Sequence, residues 1–147
     1  MRGWPTRWLM LTGLVLAPPW AWSQVSLELS AGIHRIMAEA VNTPQSRAEG
    51  LMYRKSLSAN HGMLFVFVQA AQHCMWMRNT LIPLSVAFID GNGRIINIEE
   101  MLPQTENNHC AAKPAKFALE MGSGWFRSRG LSIGTQVSGI DRAPAAR

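Results

Sequence analysis

The feature that most narrows what this chain can become is the stretch from Cys74 to Asp90, CMWMRNTLIPLSVAFID. It opens with a thiol, a thioether and an indole, and breaks at Arg78, Asn79 and Thr80. From Leu84 to Ile89 it resumes as a run apolar enough to demand burial as a strand. A core-building segment interrupted by three polar residues is a place where packing and local chemistry meet. The polar break is therefore the first site candidate: a guanidinium, an amide and a hydroxyl at a strand end suit a carboxylate or another oxyanion. The competing reading is structural, with Asn79 and Thr80 satisfying turn backbone before Pro83.

Around that stretch the chain reads as short strands. Val25 to Leu29 alternates apolar and polar, Ala31-Gly32 turns, and Ile36 to Val41 follows as a second strand. Thr43 and Pro44 suit the cap and first position of a helix. That helix is expected to carry Ala48, Leu51 and Met52 on one side, with Gly50 inside it where another element packs close. Gly62 opens the continuous apolar run Met63–Val68, which reads as a central strand covered on both sides. Gln69 to His73 is expected to be a polar connection. Asp90-Gly91-Asn92-Gly93 marks a hairpin turn, with Arg94 to Ile98 as the returning partner. Residues 103–114 form an aperiodic loop of a length that is uncommon unless it is functional or tied down. Lys116 to Met121 reads as a strand with Phe117 and Leu119 on one side. Trp125 to Arg129 reads as a helical turn stopped by Gly130, Thr135 to Ile140 as a last strand, and the tail from Arg142 as frayed. The expected fold is mainly β (α+β): one small domain, a curled antiparallel or barrel-like sheet, with one or two short helices.

The N-terminus has the marks of a cleavable leader. Arg2 and Arg7 precede a short apolar run, Trp8 to Ala17, and Ala21-Trp22-Ser23 offers a small-x-small cleavage site ahead of Gln24. The run is much shorter than the roughly 20 residues of a membrane span. We expect a signal peptide at 1–23, a periplasmic or secreted domain at 24–147, and no stable membrane insertion once the leader is gone. The formal charge of +5 includes Arg2 and Arg7, so the remaining basic excess is small. It is also scattered, which argues against nucleic acid as a partner. The expected partner is a small molecule or a protein, and the expected state a monomer. Cys74 and Cys110, the two cysteines of the chain, form an even pair in a compartment where disulfides persist, so they are expected to join.

Three blocks carry a resemblance: Arg47–Arg54 (RAEGLMYR), Gly62–Phe67 (GMLFVF) and Cys74–Leu84 (CMWMRNTLIPL). With Pro114–Glu120 and Gly134 following in order, they resemble the bacterial and archaeal family catalogued as domain of unknown function 192. The resemblance implies a compact, mostly β fold with short helices, often exported, with no assigned activity. It departs at Ser85, where the family commonly carries an acidic residue after the proline-leucine pair.

The candidate ligand-binding set is Arg54, Trp76, Arg78, Asn79, Thr80 and Glu120. Trp76 supplies a flat wall, and Arg54 either projects to the same rim or pairs with a carboxylate such as Glu120. Glu120, opposite Phe117 and Leu119 on a regular strand, has a solvated position as its ordinary reading. No catalytic residue, cofactor or metal is assigned. A periplasmic copper protein is one alternative: among nine methionines only Met1 and Met10 belong to the leader, and His34, His61, His73 and His109 add nitrogen. Soft sulfur donors select Cu(I), although Met63, Met75 and Met77 sit where methionine fills core gaps. A hydrolase or transferase is the other alternative. A cysteine nucleophile needs a free thiolate, which the expected disulfide removes.

Overall fold

The computed structural model describes residues 25–147, so the leader expected over residues 1–23 lies outside the described residues. Strands β1 (Val25–Ala31) and β2 (His34–Val41) form a hairpin closed at Gly32, whose φ of +57° is the left-handed backbone that glycine tolerates best. Helix α1 (Pro44–Glu49) follows, with Pro44 in its first turn. It is capped reciprocally: Ser46 N–H donates to Thr43 Oγ1, and Thr43 N–H donates to Ser46 Oγ.

The helix ends one residue short of Gly50, which was expected inside it. Gly50 is the C-cap with φ +50°, and a Cβ there would lie 3.1 Å from Phe65 Cζ. The close packing was read correctly, and the helical continuation through Leu51 and Met52 was not. A positive-φ glycine ends the helix where it packs against Phe65 of β3 (His61–Ala71).

The remaining strands are β4 (Cys74–Met75), β5 (Leu84–Ile89), β6 (Ile95–Met101), β7 (His109–Cys110), β8 (Ala115–Gly122) and β9 (Val137–Ser138). Seven of them form one sheet in the order β6-β5-β8-β3-β2-β1-β9, and β4 pairs with β7 alone. Every pairing is antiparallel except β2 with β3, which the α1 crossover makes parallel. β3 runs on to Ala71, so the expected polar connection shrinks to Gln72 and His73.

The sheet curls into a half-barrel. Its two edges are stitched together by residues 134–137: Val137 pairs with Ala31 of β1, while Gly134 N–H donates to Ile95 O and Ile95 N–H to Thr135 O. The expected last strand is cut to two residues because Gly139, at φ +86°, turns the chain into a 3-10 turn at Ile140–Arg142. The tail is docked rather than frayed. Arg142 donates to Glu28 O, Asn42 Nδ2 to Ala145 O and Arg147 N–H to Asn42 O, and Ala143 and Ala146 pack on the core.

Strand alternation divides the core in two. The row Leu64–Leu119–Ala87 belongs to a cluster with Leu29, Ile36, Ile89 and Phe126, closed over by Trp125 and Ile140. The row Phe65–Ala118–Phe88 belongs to a second cluster with Met63, Leu84 and Met101 on the other face of the sheet. That face is covered by the chain itself, through Leu51 and Leu57 after α1, Met77 and Ile82 between β4 and β5, and Ala111 after β7. Among the described residues no helix is long and apolar enough to cross a membrane.

Candidate functional site

The second face holds a cavity of about 640 Å³. One wall is α1 and the turn after it, with Arg47, Ala48, Leu51 and Met52. Another is β3, with Phe65 and Phe67, and the third is the segment His73–Trp76. Thr80 and Glu120 lie among its lining residues as well. Phe65 and Phe67 share this face because they are two apart in a strand.

Glu120 pairs across with Met63 on β3 and Val86 on β5. The same row continues to Glu39 on β2 and Glu99 on β6. Glu120 does face away from Phe117 and Leu119, as expected, but it is not solvated: it is only 4% exposed, because the second face is covered by chain. Among the described residues its carboxyl makes no side-chain hydrogen bond and no ion pair. Burial alone pushes its pKa up to about 8. Near neutral pH it is a carboxylic acid, able to donate as well as accept a hydrogen bond.

Arg54 does not reach Glu120. Its guanidinium holds Glu39 by two bonds of 2.6 Å, and that hydrogen-bonded carboxylate raises the Arg54 pKa further. Arg78 points outward: it pairs with Glu106 at 3.7 Å and lies 5.6 Å from the centre of the Trp76 ring. Asn79 takes a left-handed φ of +53°, and its carbonyl accepts from Tyr53 N–H. The polar break is thus a turn. Thr80 is buried, donates Oγ1 to Arg78 O, and accepts at its carbonyl from Gln104 N–H. Of the six candidates, Trp76, Thr80 and Glu120 come together at the cavity, whereas Arg54, Arg78 and Asn79 do not line it.

Among the lining residues that sequence reasoning left out of the site are Arg47, Leu51, Phe65, Phe67 and His73. Arg47 donates to Val66 O and to the main-chain oxygen of Arg147. The His73 ring stacks on Phe67 at 3.8 Å and donates from Nε2 to Gln69 O. A signal was present in Phe65 and Phe67, two aromatic side chains on one face of one strand.

Cys74 and Cys110 are joined by a disulfide across the β4–β7 pair. It ties down the long 103–114 loop and anchors the His73–Trp76 wall, and it leaves neither sulfur as a thiolate. Met63 and Met77 are buried in the second core cluster. Met75 and Met77 do not share a strand face, since β4 ends at Met75. Among the described residues no three of His, Cys, Asp and Glu gather around one point fit for an ion.

The site left by Ser85 is filled from across the hairpin. Ser85 Oγ donates to Glu100 Oε2 at 2.7 Å and accepts from Gly124 N–H at 2.8 Å. The carboxylate missing from β5 stands on β6 at the paired position.

A curled β half-barrel with a self-covered outer face, and an acid-floored cavity beneath that cover, defines a compact β domain of the uncharacterised kind. The chain belongs to the family of domain of unknown function 192, whose model, described as an uncharacterized ACR, matches residues 25–139. Its structure is similar to one from Sinorhizobium meliloti 1021, described as a candidate transcription regulator. That chain is 31% identical with a TM-score of 0.76, and the match covers 80% of this chain and 96% of the other. A protein of unknown function from Novosphingobium aromaticivorans DSM 12444 is 27% identical with a TM-score of 0.76, covering 91% of this chain and 99% of that one. No curated protein matches the chain significantly.

Proposed function

We propose that this is an exported small-molecule binding module, whose ligand enters the cavity beside α1 and seats a polar head on Glu120. The observation that carries the reading is the Glu120 carboxyl, which lines the cavity on a residue only 4% exposed and forms no ion pair or side-chain hydrogen bond among the described residues. A carboxyl so nearly enclosed has little water to bond, and a bound head group supplies a partner in its place. Phe65, Phe67, Leu51 and Trp76 supply apolar contact for the ligand's body. The leader-like N-terminus and the Cys74–Cys110 disulfide both support an extracytoplasmic setting for a domain spanning 24–147.

The test is an amide-resolved NMR titration of the protein with small amphiphilic fragments. Shifts are expected at Leu51, Phe67, Trp76 and Glu120. Shifts scattered over the outer surface, or none, defeat the reading. Terminal sequencing of protein recovered from its producing cell is expected to begin at Gln24, and an intact leader on a cytoplasmic pool contradicts export.

A further inference from the structure

We infer that the cavity takes an organic amine, with its ammonium group on the Glu120 carboxylate and its hydrocarbon body against Phe65, Phe67 and Leu51. This rests on the binding reading above and names the ligand's chemistry.

The argument is one of charge balance. Glu120 is 4% exposed and forms no ion pair among the described residues. The arginine with most reason to neutralise it, Arg54, is committed to Glu39. Arg47, on the cavity wall, is turned toward the carbonyls of Val66 and Arg147 by one bond from each terminal nitrogen, and it forms no ion pair with Glu120. An anionic ligand seated at Glu120 would face an acid with no guanidinium bonded to it among the described residues. A neutral alcohol or amide could bond the protonated carboxyl but would bring no counter-charge for the carboxylate. An ammonium group supplies the missing counter-charge and up to three donors. The walls agree, because aromatic faces attract cations most strongly where water is excluded. Exposed Glu49, also on the wall, adds a negative charge near the entrance.

Binding then moves a proton. Burial keeps Glu120 protonated in the empty cavity, and an arriving ammonium ion drives that proton into solvent, so that carboxylate and ammonium remain. The other titratable or charged groups around it are Arg47 and Glu49 from α1, His73 from the β3–β4 connection, and the Arg54–Glu39 pair along the same row.

The experiment is calorimetric titration of the protein with hexylamine, hexanol and hexanoate at several pH values. Hexylamine is expected to bind most tightly, with affinity rising up to about tenfold per pH unit between pH 6 and 8 and one proton released. Glu120→Gln is expected to lose at least about tenfold for hexylamine and little for hexanol. Ala48→Phe, at an exposed wall position, is expected to block all three probes without touching the acid. Hexanoate or hexanol binding as tightly as hexylamine overturns the amine assignment while leaving the cavity as a binding site. Binding of none of the three removes the binding reading as well. Should Glu120→Gln fail to fold, the pH dependence and the Ala48→Phe result decide the matter.

Discussion

Arg54 and Glu39 form a two-pronged ion pair, each prong 2.6 Å long, between the turn after α1 and the middle of β2. The pair fixes the turn that walls the cavity. It also keeps Arg54 away from Glu120, on the same row of the sheet beyond Met63, which forms no ion pair among the described residues. Both side chains are about a third exposed, so solvent weakens the attraction. Arg54→Gln is expected to cost about 1 kcal/mol, more at low salt than at high. A double-mutant cycle with Glu39→Gln, read by urea denaturation, should return most of that loss as coupling energy. A coupling near zero would mean the pair is ornamental.

Glu120 predicts how stability follows pH. Its folded pKa, about 8, stands above the ordinary carboxylate value because burial disfavours the charge. Between the unfolded and folded values the native state binds the extra proton, so its contribution to stability falls as pH rises through that window. The slope is at most about 1.4 kcal/mol per pH unit, and the effect is complete above about pH 8. Glu120→Gln is expected to flatten the profile from about pH 5 to pH 8 and to be the more stable protein at the alkaline end. Parallel denaturation profiles for the two proteins would refute the buried, unpartnered carboxyl.

Much of the sheet was legible because strand signals are local: Leu84–Ile89 and the Asp90–Gly93 turn rest on apolar runs and turn residues a few positions apart. The parallel placement of β2 beside β3 was not, since nothing local distinguishes a crossover from another hairpin. Glu120 was misjudged for a similar reason. Its facing followed from alternation with Phe117 and Leu119, but it lies on a face covered by residues such as Leu51 and Met77 that arrive from distant parts of the chain. Arg78 and Asn79 misled in the other direction, since their polar character serves a turn with Asn79 in the left-handed region.

The disulfide holds more than a loop. Cys74 and Cys110 are 36 residues apart, and both are exposed. The β4–β7 ladder they lock is two residues long on each side. Converting both to serine is expected to cost roughly 3–4 kcal/mol through the freed chain of the unfolded state. Trp76 should also become more accessible to a fluorescence quencher, because its wall loses the anchor. A full-size drop in stability with unchanged quenching would separate the chain-entropy effect from any role in shaping the cavity.

Ser85 sits fully buried between Glu100 and Gly124, at the position where the family resemblance leads one to expect an acid. Glu100 already supplies a carboxylate there. It accepts from Ser85 and Ser123, and the Arg127 guanidinium lies 3.8 Å away. Restoring the family residue alone, as Ser85→Asp, would set two carboxylates side by side, and one of them would have to take up a proton or repel the other. The expected loss is on the order of 2–3 kcal/mol at neutral pH, shrinking as the pH falls toward 4. Adding Glu100→Gln should recover most of it, because one acid then serves the Gly124 amide from the β5 side. Equal losses in the single and double variants would show that this corner of the sheet tolerates only the serine hydroxyl, whatever stands opposite.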